Sequence, residues 1–418
     1  MANGELVRLD RQFVQDPPEL YRRLRAEAPA HPVIMWGGVR VWLVTRYADA
    51  KALLADPRLS KDHAGVLALF PPGTEGAHSS PLSANMLLAD PPDHTRLRRL
   101  VNKAFAVRAV AHLRPRIEGI ADELLDAIAA AAAHGDVDLI ESYALPLPIR
   151  VIGELLGVPA SDREQFRVGV EAILTTTDQD ALHATMEMLA DLLTRLIAGK
   201  RAAPGEDLLS ALVQVEEDGD QLSEQELLAT TYLLIVAGYE TTVNLIGNGI
   251  LALLRNPVQL RALRAAPARL PEAVEEFLRY DSPLNLATPR FSTVAIRVDE
   301  VTIPAGELVM IALLAANHDG ERFEHPDQLD IGRTANPHLA FGRGIHYCVG
   351  APLARLEGEI ALGRLLARFD SVRLADHAVP RYRNSTLMRG LSALAVRLEP
   401  AAGSRRPWSV RAAAGGHR

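Results

Sequence analysis

Sulfur, net positive charge, linker sequence and a membrane-length greasy segment are all scarce or missing in this chain. Cysteine occurs once among 418 residues. That excludes an intramolecular disulfide, a Cys-only zinc site and an iron–sulfur cluster, each of which needs several thiolates, and it fits a reducing compartment. The net charge of -7 gives no general case for binding nucleic acid or an anionic membrane. No long Gly/Ser-rich or charged linker divides residues 15–398, so a single domain over 1–400 is expected, followed by a disordered tail at 401–418 rich in Ala, Gly and Arg. Met1-Ala2-Asn3-Gly4-Glu5 begins no signal peptide or apolar anchor, which predicts a cytoplasmic protein without a membrane anchor. No internal repeat is visible.

What is present gathers around that one cysteine, in Phe341-Gly342-Arg343-Gly344-Ile345-His346-Tyr347-Cys348-Val349-Gly350. Glycine lets backbone approach a bulky partner and adopt positive φ. The following Ala351-Pro352-Leu353 reads as a helix with proline in its first turn. Cys348 therefore precedes a helix N-terminus, where amides and the dipole favour the thiolate, the metal-binding form. An isolated cysteine is ordinarily a small buried hydrophobe; the glycine spacing argues for a ligand instead.

A second signal is Ser223-x-x-Glu226, a capping box opening a long helix that runs to Leu254. Between Leu227 and Leu254 the ionisable side chains are Tyr232, Tyr239 and Glu240. Glu240, Thr241, Thr242, Asn244 and Asn248 at its middle argue against lipid and for a buried core helix. Within it, Ala237-Gly238-Tyr239-Glu240-Thr241-Thr242 sets small residues one turn before an acid and an alcohol. A helical glycine costs about 1 kcal/mol against alanine, which close approach of a ligand would offset.

Further weak signals accompany these. Asp93 is a candidate N-cap for a helix placing His94 and Arg98 on one face, where an anionic ligand would explain cations in a first turn. From His94 through Ile117 no acid occurs, while Arg96, Arg98, Arg99, Lys103, Arg108, Arg114 and Arg116 supply bases able to steer an acidic partner. Glu276 and Arg279 are spaced to pair on one helix. Val33–Trp36 and Val39–Val44 around Gly37-Gly38 read as a hairpin. The apolar loop Ser60–Pro92 reads as a lid. Helices are expected over 17–28, 46–55, 107–134, 149–156, 161–175, 180–200, 207–217 and 271–280, with short strands at 286–291, 296–298 and 309–314. Together these make the chain mainly α with a small β region.

The cysteine run resembles the ligand loop of the cytochrome P-450 superfamily, Phe-x-x-Gly-x-x-x-Cys-x-Gly, at Phe341, Gly344, Cys348 and Gly350. The 237–242 run is similar to the family's oxygen-activation motif, and the order of motifs over residues 94–350 matches soluble bacterial members. The resemblance implies the cytochrome P-450 fold, with haem b held through Cys348 between the 222–254 helix and the cysteine helix. It implies that thiolate donation favours O–O cleavage, that Thr241 hydrogen-bonds dioxygen at the haem, and that Glu240 relays protons. Ala237, Gly238, Phe341, Gly342 and Gly350 would border the haem; His94, Arg98, Arg290 and His346 would hold its propionates. Glu276, Arg279 and Arg333 would fix the core. Leu67, Met86, Leu87, Ile173, Leu174, Leu234, Ala237, Leu284, Leu286 and Met388 would wall the substrate pocket.

The implied function is a monooxygenase inserting oxygen into a sizeable apolar molecule such as a polyketide, macrolide, terpenoid or steroid. Dioxygen is the co-substrate, and NAD(P)H electrons arrive through a ferredoxin reductase and a ferredoxin docked beside the basic stretch; a monomer is expected. Oxidative C–C coupling, peroxide-driven oxidation and a non-catalytic haem sensor are the rivals. A cysteine hydrolase with His346 as base fails, because residues two apart diverge on an extended loop.

Overall fold

The computed structural model describes residues 6–35, 38–70, 82, 85–107, 110–175 and 178–400. Its helices are α1 (Arg11–Gln15), α2 (Pro17–Glu27), α3 (Tyr47–Leu53), α4 (His63–Leu67), α5 (Asp93–Val107), α6 (Arg114–Ala132), α7 (Pro146–Leu155), α8 (Arg163–Thr175), α9 (Gln179–Ala202), α10 (Leu208–Gln214), α11 (Glu224–Arg255), α12 (Pro257–Ala265), α13 (Leu270–Tyr280), α14 (Leu313–Asn317) and α15 (Ala351–Arg368). The strands are β1 (Val7–Arg8), β2 (Ala30–Ile34), β3 (Arg40–Val44), β4 (Leu59–Ser60), β5 (Val137–Asp138), β6 (Glu216–Glu217), β7 (Asp220–Gln221), β8 (Arg290–Ser292), β9 (Ile296–Val298), β10 (Val301–Ile303), β11 (Leu308–Ile311), β12 (Phe369–Leu374) and β13 (Ala395–Pro400).

The centre of the molecule is α11. Ser223 accepts from the Glu226 N–H while Glu226 Oε2 accepts from the Ser223 N–H, so the expected capping box forms. Its apolar positions, among them Val243, Leu245, Ile246, Ile250 and Leu251, are buried on several sides because α7, α9, α13 and α15 all pack against it. No helix among the described residues is long and apolar enough to cross a membrane. A sheet ordered β1-β2-β3-β11-β8-β4 forms one flank. The expected hairpin is there as β2 against β3, with Val33 opposite Val41; Trp36 and Gly37, between the strands, lie outside the described residues.

Several boundaries differ from the sequence expectation. Helix α5 begins at Asp93, and the His94 N–H donates to the Asp90 carbonyl at 2.9 Å, so Asp93 sits inside the first turn and is no N-cap. The helix expected over 107–134 breaks before Arg114-Pro115, because proline fits only the first turn of α6. The helix expected to reach Glu217 stops at Gln214, and β6 and β7 form a hairpin instead. Its turn is Asp218-Gly219, both at positive φ, +56° and +80°, a pairing that strongly favours tight hairpins. The strands carry no alternating apolar residues, so only the turn signalled them. The tail from Ala401 lies outside the described residues.

Candidate functional site

The cysteine loop closes on itself: the Cys348 N–H donates to the Phe341 carbonyl at 3.0 Å. Two glycines make that possible. Gly342 and Gly344 have φ of +70° and +77°, and a Cβ on Gly344 would fall 2.9 Å from the Ala55 Cα. The loop delivers Cys348 to the start of α15. The thiol is exposed to water, yet it sits in a recess deep enough that burial pushes its pKa up; the N–H groups of Gly350 and Ala351 and the charges of Arg98 and Arg355 pull the other way. Phe341 is braced by the Arg355 guanidinium, 4.5 Å above its ring. Glu275 in turn holds Arg355 at 2.6 and 2.9 Å and meets His338 at 3.2 Å. Burial works against the Glu275 carboxylate, but hydrogen bonds from His338 and Arg355 outweigh it and hold its pKa at about 2.

Beside the cysteine lies a concentration of cations. The His94 and His346 rings are 4.4 Å apart. Arg290 is buried, with Nη1 donating to the Thr288 carbonyl at 3.3 Å, and Arg98 approaches from α5 with Nε on Asn102. Sequence reasoning missed Lys61, which is 1% exposed and donates to Thr288 Oγ1 at 2.6 Å. Burial and then Lys61, His94, Arg290 and Arg98 push the His346 pKa down to about 2. Burial lowers Arg290 to about 10, and burial with the neighbouring Arg290 charge lowers Lys61. Asp90 is the carboxylate acting on this group. Both ring nitrogens of His94 are buried with no partner among the described residues. Like charges crowded in low dielectric are unfavourable, so the cluster suits a ligand carrying carboxylates. A haem, whose iron would take the Cys348 thiolate and whose two propionates would take the cations, fits this donor set.

On α11, Ala237 is exposed, and Thr241 Oγ1 donates to the Ala237 carbonyl at 2.8 Å. Burial raises the Glu240 pKa, and Arg383 lowers it only in part from 3.8 Å, beyond hydrogen-bond reach. Arg383, from the loop before β13, was not legible as a site residue. Gly238 does something other than expected. A Cβ there would lie 3.2 Å from Ile152 Cδ1, so the glycine admits α7 rather than a flat ligand.

The core triad comes together. Arg279 Nε and Nη2 donate to Glu276 at 2.8 Å each, Arg333 Nε donates to Glu276 Oε2 at 3.1 Å, and the Glu276 and Arg279 side chains are 0% exposed. Remaining Arg279 donors reach the carbonyls of Asn317, Pro326 and Gln328.

Leu284 and Met388 form an isolated bridge. Leu67, Leu87, Ile173 and Leu234 are part-buried. Leu286 is 0% exposed in the main core and Met86 is 5% exposed, which removes Leu286 as a wall and leaves Met86 mostly packed. The side chain of Leu174 lies outside the described residues. The basic stretch is far less free than its sequence implied. Arg96 pairs with Asp220 and Glu226, and Arg99 with Glu217 and Asp218; Lys103 donates to the Glu216 carbonyl, Arg114 meets Glu118 and Glu359, and Arg116 meets Glu154. Arg108 lies outside the described residues.

The family described as Cytochrome P450 matches residues 165–267 and 268–391. The chain is 50% identical over 408 residues to Cytochrome P450 107B1 of Saccharopolyspora erythraea, covering 95% of this chain and 99% of the relative. It is 47% identical to the Vitamin D(3) 25-hydroxylase of Pseudonocardia autotrophica, over 93% of this chain and 95% of that one. The solved structure of the tirandamycin C-bound P450 monooxygenase TamI superposes with a TM-score of 0.85 at 47% identity, covering 94% of this chain and all of the other.

Proposed function

Because this chain belongs to the cytochrome P450 family and is a haem monooxygenase, we propose that Cys348 would hold its haem iron and that the protein hydroxylates a sizeable apolar molecule of polyketide, macrolide or steroid type. Held at Cys348, haem would supply dioxygen activation with electrons from redox partners. The chain's own residues do the rest. His94, Arg98, Arg290, His346 and Lys61 orient the cofactor through its propionates. Phe341, braced by Arg355, fixes the loop that carries Cys348. Glu240 holds a proton for the Thr241 hydroxyl, which passes protons into the pocket.

One observation carries the substrate class. Asn244 Nδ2 reaches the Pro283 carbonyl at 3.4 Å and Asn248 Nδ2 the Arg389 carbonyl at 2.9 Å. These contacts tie the neighbours of Leu284 and Met388 to α11 within two turns of Thr241, which supports an aliphatic wall there. Two relatives act on or bind molecules of this sort, vitamin D3 and tirandamycin C by their names. We assign the immediate electron donor to a ferredoxin, and the protein to the cytoplasm as a monomer of one domain.

A difference-spectrum titration tests the substrate class: vitamin D3, a macrolactone and a short-chain fatty acid are each added to the holoprotein. The expected result is a low-spin to high-spin shift with a large apolar ligand. A shift with the short fatty acid alone would overturn the assignment.

A further inference from the structure

Glu275 and Glu276 are neighbours on α13, where one residue turns the side chain by about 100°. Glu276 serves the core triad, and Glu275 serves the cysteine loop. Glu275 Oε1 accepts from Arg355 Nε at 2.6 Å and Oε2 from Arg355 Nη2 at 2.9 Å, a two-point grip that fixes the plane of the guanidinium. The Ala340 N–H donates to His338 Nδ1 at 3.2 Å, so the ring proton sits on Nε2, which donates to Glu275 Oε2 at 3.2 Å. One carboxylate therefore joins α13, α15 and the segment entering the loop. Arg355 continues the chain of contacts: it covers the Phe341 ring at 4.5 Å, and the Phe341 carbonyl takes the Cys348 N–H.

Charge separates this network from plain scaffolding. An uncharged pair would brace the loop equally well without the cost of half-burying two ions. The Arg355 charge also acts on Cys348, where it favours the thiolate. Two other cations, Lys51 and Arg343, line a solvent-open groove of about 500 Å³ beside Gly344 and Tyr347. Both are exposed, so water and salt screen their fields. Arg355 and Glu275 are only 32% and 29% exposed, and more of their field survives. A cation held near a thiolate draws on its electron density, and an acid bonded to that cation offsets part of the pull.

We propose that Glu275 is a positioning residue for the thiolate: it holds Arg355 in place and offsets its charge, and so sets how strongly Cys348 donates to the haem iron and, with that, the reduction potential. Donation by the axial ligand favours the ferric state, so a more positive surrounding raises the potential. Glu275 acts only through Arg355 and the loop. The inference rests on Cys348 holding the iron.

The test uses holoprotein of parent, Glu275→Gln, Arg355→Gln and the double variant, each titrated against redox dyes, with the reduced CO spectrum, haem content and Tm recorded alongside. Glu275→Gln keeps an acceptor for Arg355 and loses a negative charge, so the potential should rise. Arg355→Gln loses the cation, so the potential should fall below parental. The double variant should return towards the parental value. A loosened scaffold would admit water to the ligand in both single variants and move both the same way. Shifts of one sign, or a parental potential in Glu275→Gln, overturn the proposal. If Glu275→Gln alone does not hold haem, the same change is made in the Arg355→Gln background, where it must raise the potential; a fall or no change overturns the proposal there. A parental CO complex lacking the red-shifted Soret band of a thiolate overturns the Cys348 assignment too, whereas a failed sign test with that band present removes the Glu275 role alone.

Discussion

Two ionic clusters in this protein are built on opposite plans. Around Glu276 every charge is answered: two arginines share one carboxylate, and the leftover guanidinium donors end on backbone carbonyls. Around His346 the charges are left over: Lys61, Arg98, Arg290 and His94 crowd together, Asp90 is their acidic neighbour, and the His94 ring nitrogens bond to nothing among the described residues. The first cluster is complete without a ligand and holds α13 to the segment before the cysteine loop. The second is an incomplete structure that an anion finishes. A fully matched polar network specifies shape, and a deliberately unmatched one marks where something binds.

Mutation should separate the two sharply. Glu276→Ala strands two arginines, one of them fully buried, and is expected to cost roughly 3–5 kcal/mol; denaturant unfolding should show it, and a parental midpoint would erase the contrast. Thr241→Ala removes a hydroxyl already satisfied by its own helix, so stability and haem content should stay near parental. Product per NADPH should fall, by up to on the order of 10² in the assisted step, with the missing electrons recovered as hydrogen peroxide. Undiminished product per NADPH would remove Thr241 from the relay.

Lys61→Met should do the reverse of Glu276→Ala. Taking a cation out of the unmatched cluster should stabilise the haem-free protein by on the order of 1 kcal/mol, while haem transfer to a scavenging apoprotein becomes faster. Slower transfer would mean that Lys61 does not face the cofactor.

Acid should act on the same cluster. His94 and His346 both have folded pKa values below the unfolded value near 6.5. Their neutral forms therefore support the haem-free fold fully above about pH 6.5, and that support is lost as pH falls below it. Haem-free stability that rises from pH 7 to pH 5 would contradict this sign. The smallest effect is expected at Arg99→Glu. Its ion pairs with Glu217 and Asp218 are on exposed side chains, so stability should move within about 0.5 kcal/mol, and electron delivery from a ferredoxin should change less than at an unpaired cation.

The satisfied cluster was the more legible of the two. Glu276 and Arg279 are three residues apart on a helix, a spacing that guarantees contact, and the cysteine loop announced itself through glycines whose positive φ no other residue adopts as readily. Lys61 was hidden because a single lysine in a loop has no periodicity; only the fold brings it beside Arg290. The basic stretch misled for the mirror-image reason. For Arg96 and Arg99 the neutralising acids Asp220 and Glu217 lie more than a hundred residues away in β7 and β6, two-residue strands with no apolar alternation to reveal them. Likewise the asparagines of α11 were read as a reason to keep the helix out of lipid, but which loops they grip depends on chain crossings that no local pattern encodes.

Glu226 carries a consequence for the order of assembly. Its Oε2 closes the capping box at the start of α11, while Oε1 takes the guanidinium of Arg96 on α5. One carboxylate thus ties the first turn of the oxygen-side helix to the helix bearing His94 and Arg98. The spacing of the cation cluster is coupled to that turn, and the expected order has the long helix starting before a newly made chain can capture its cofactor. Haem uptake during refolding should therefore lag the appearance of helical signal, and should lag further when Glu226 is replaced by alanine.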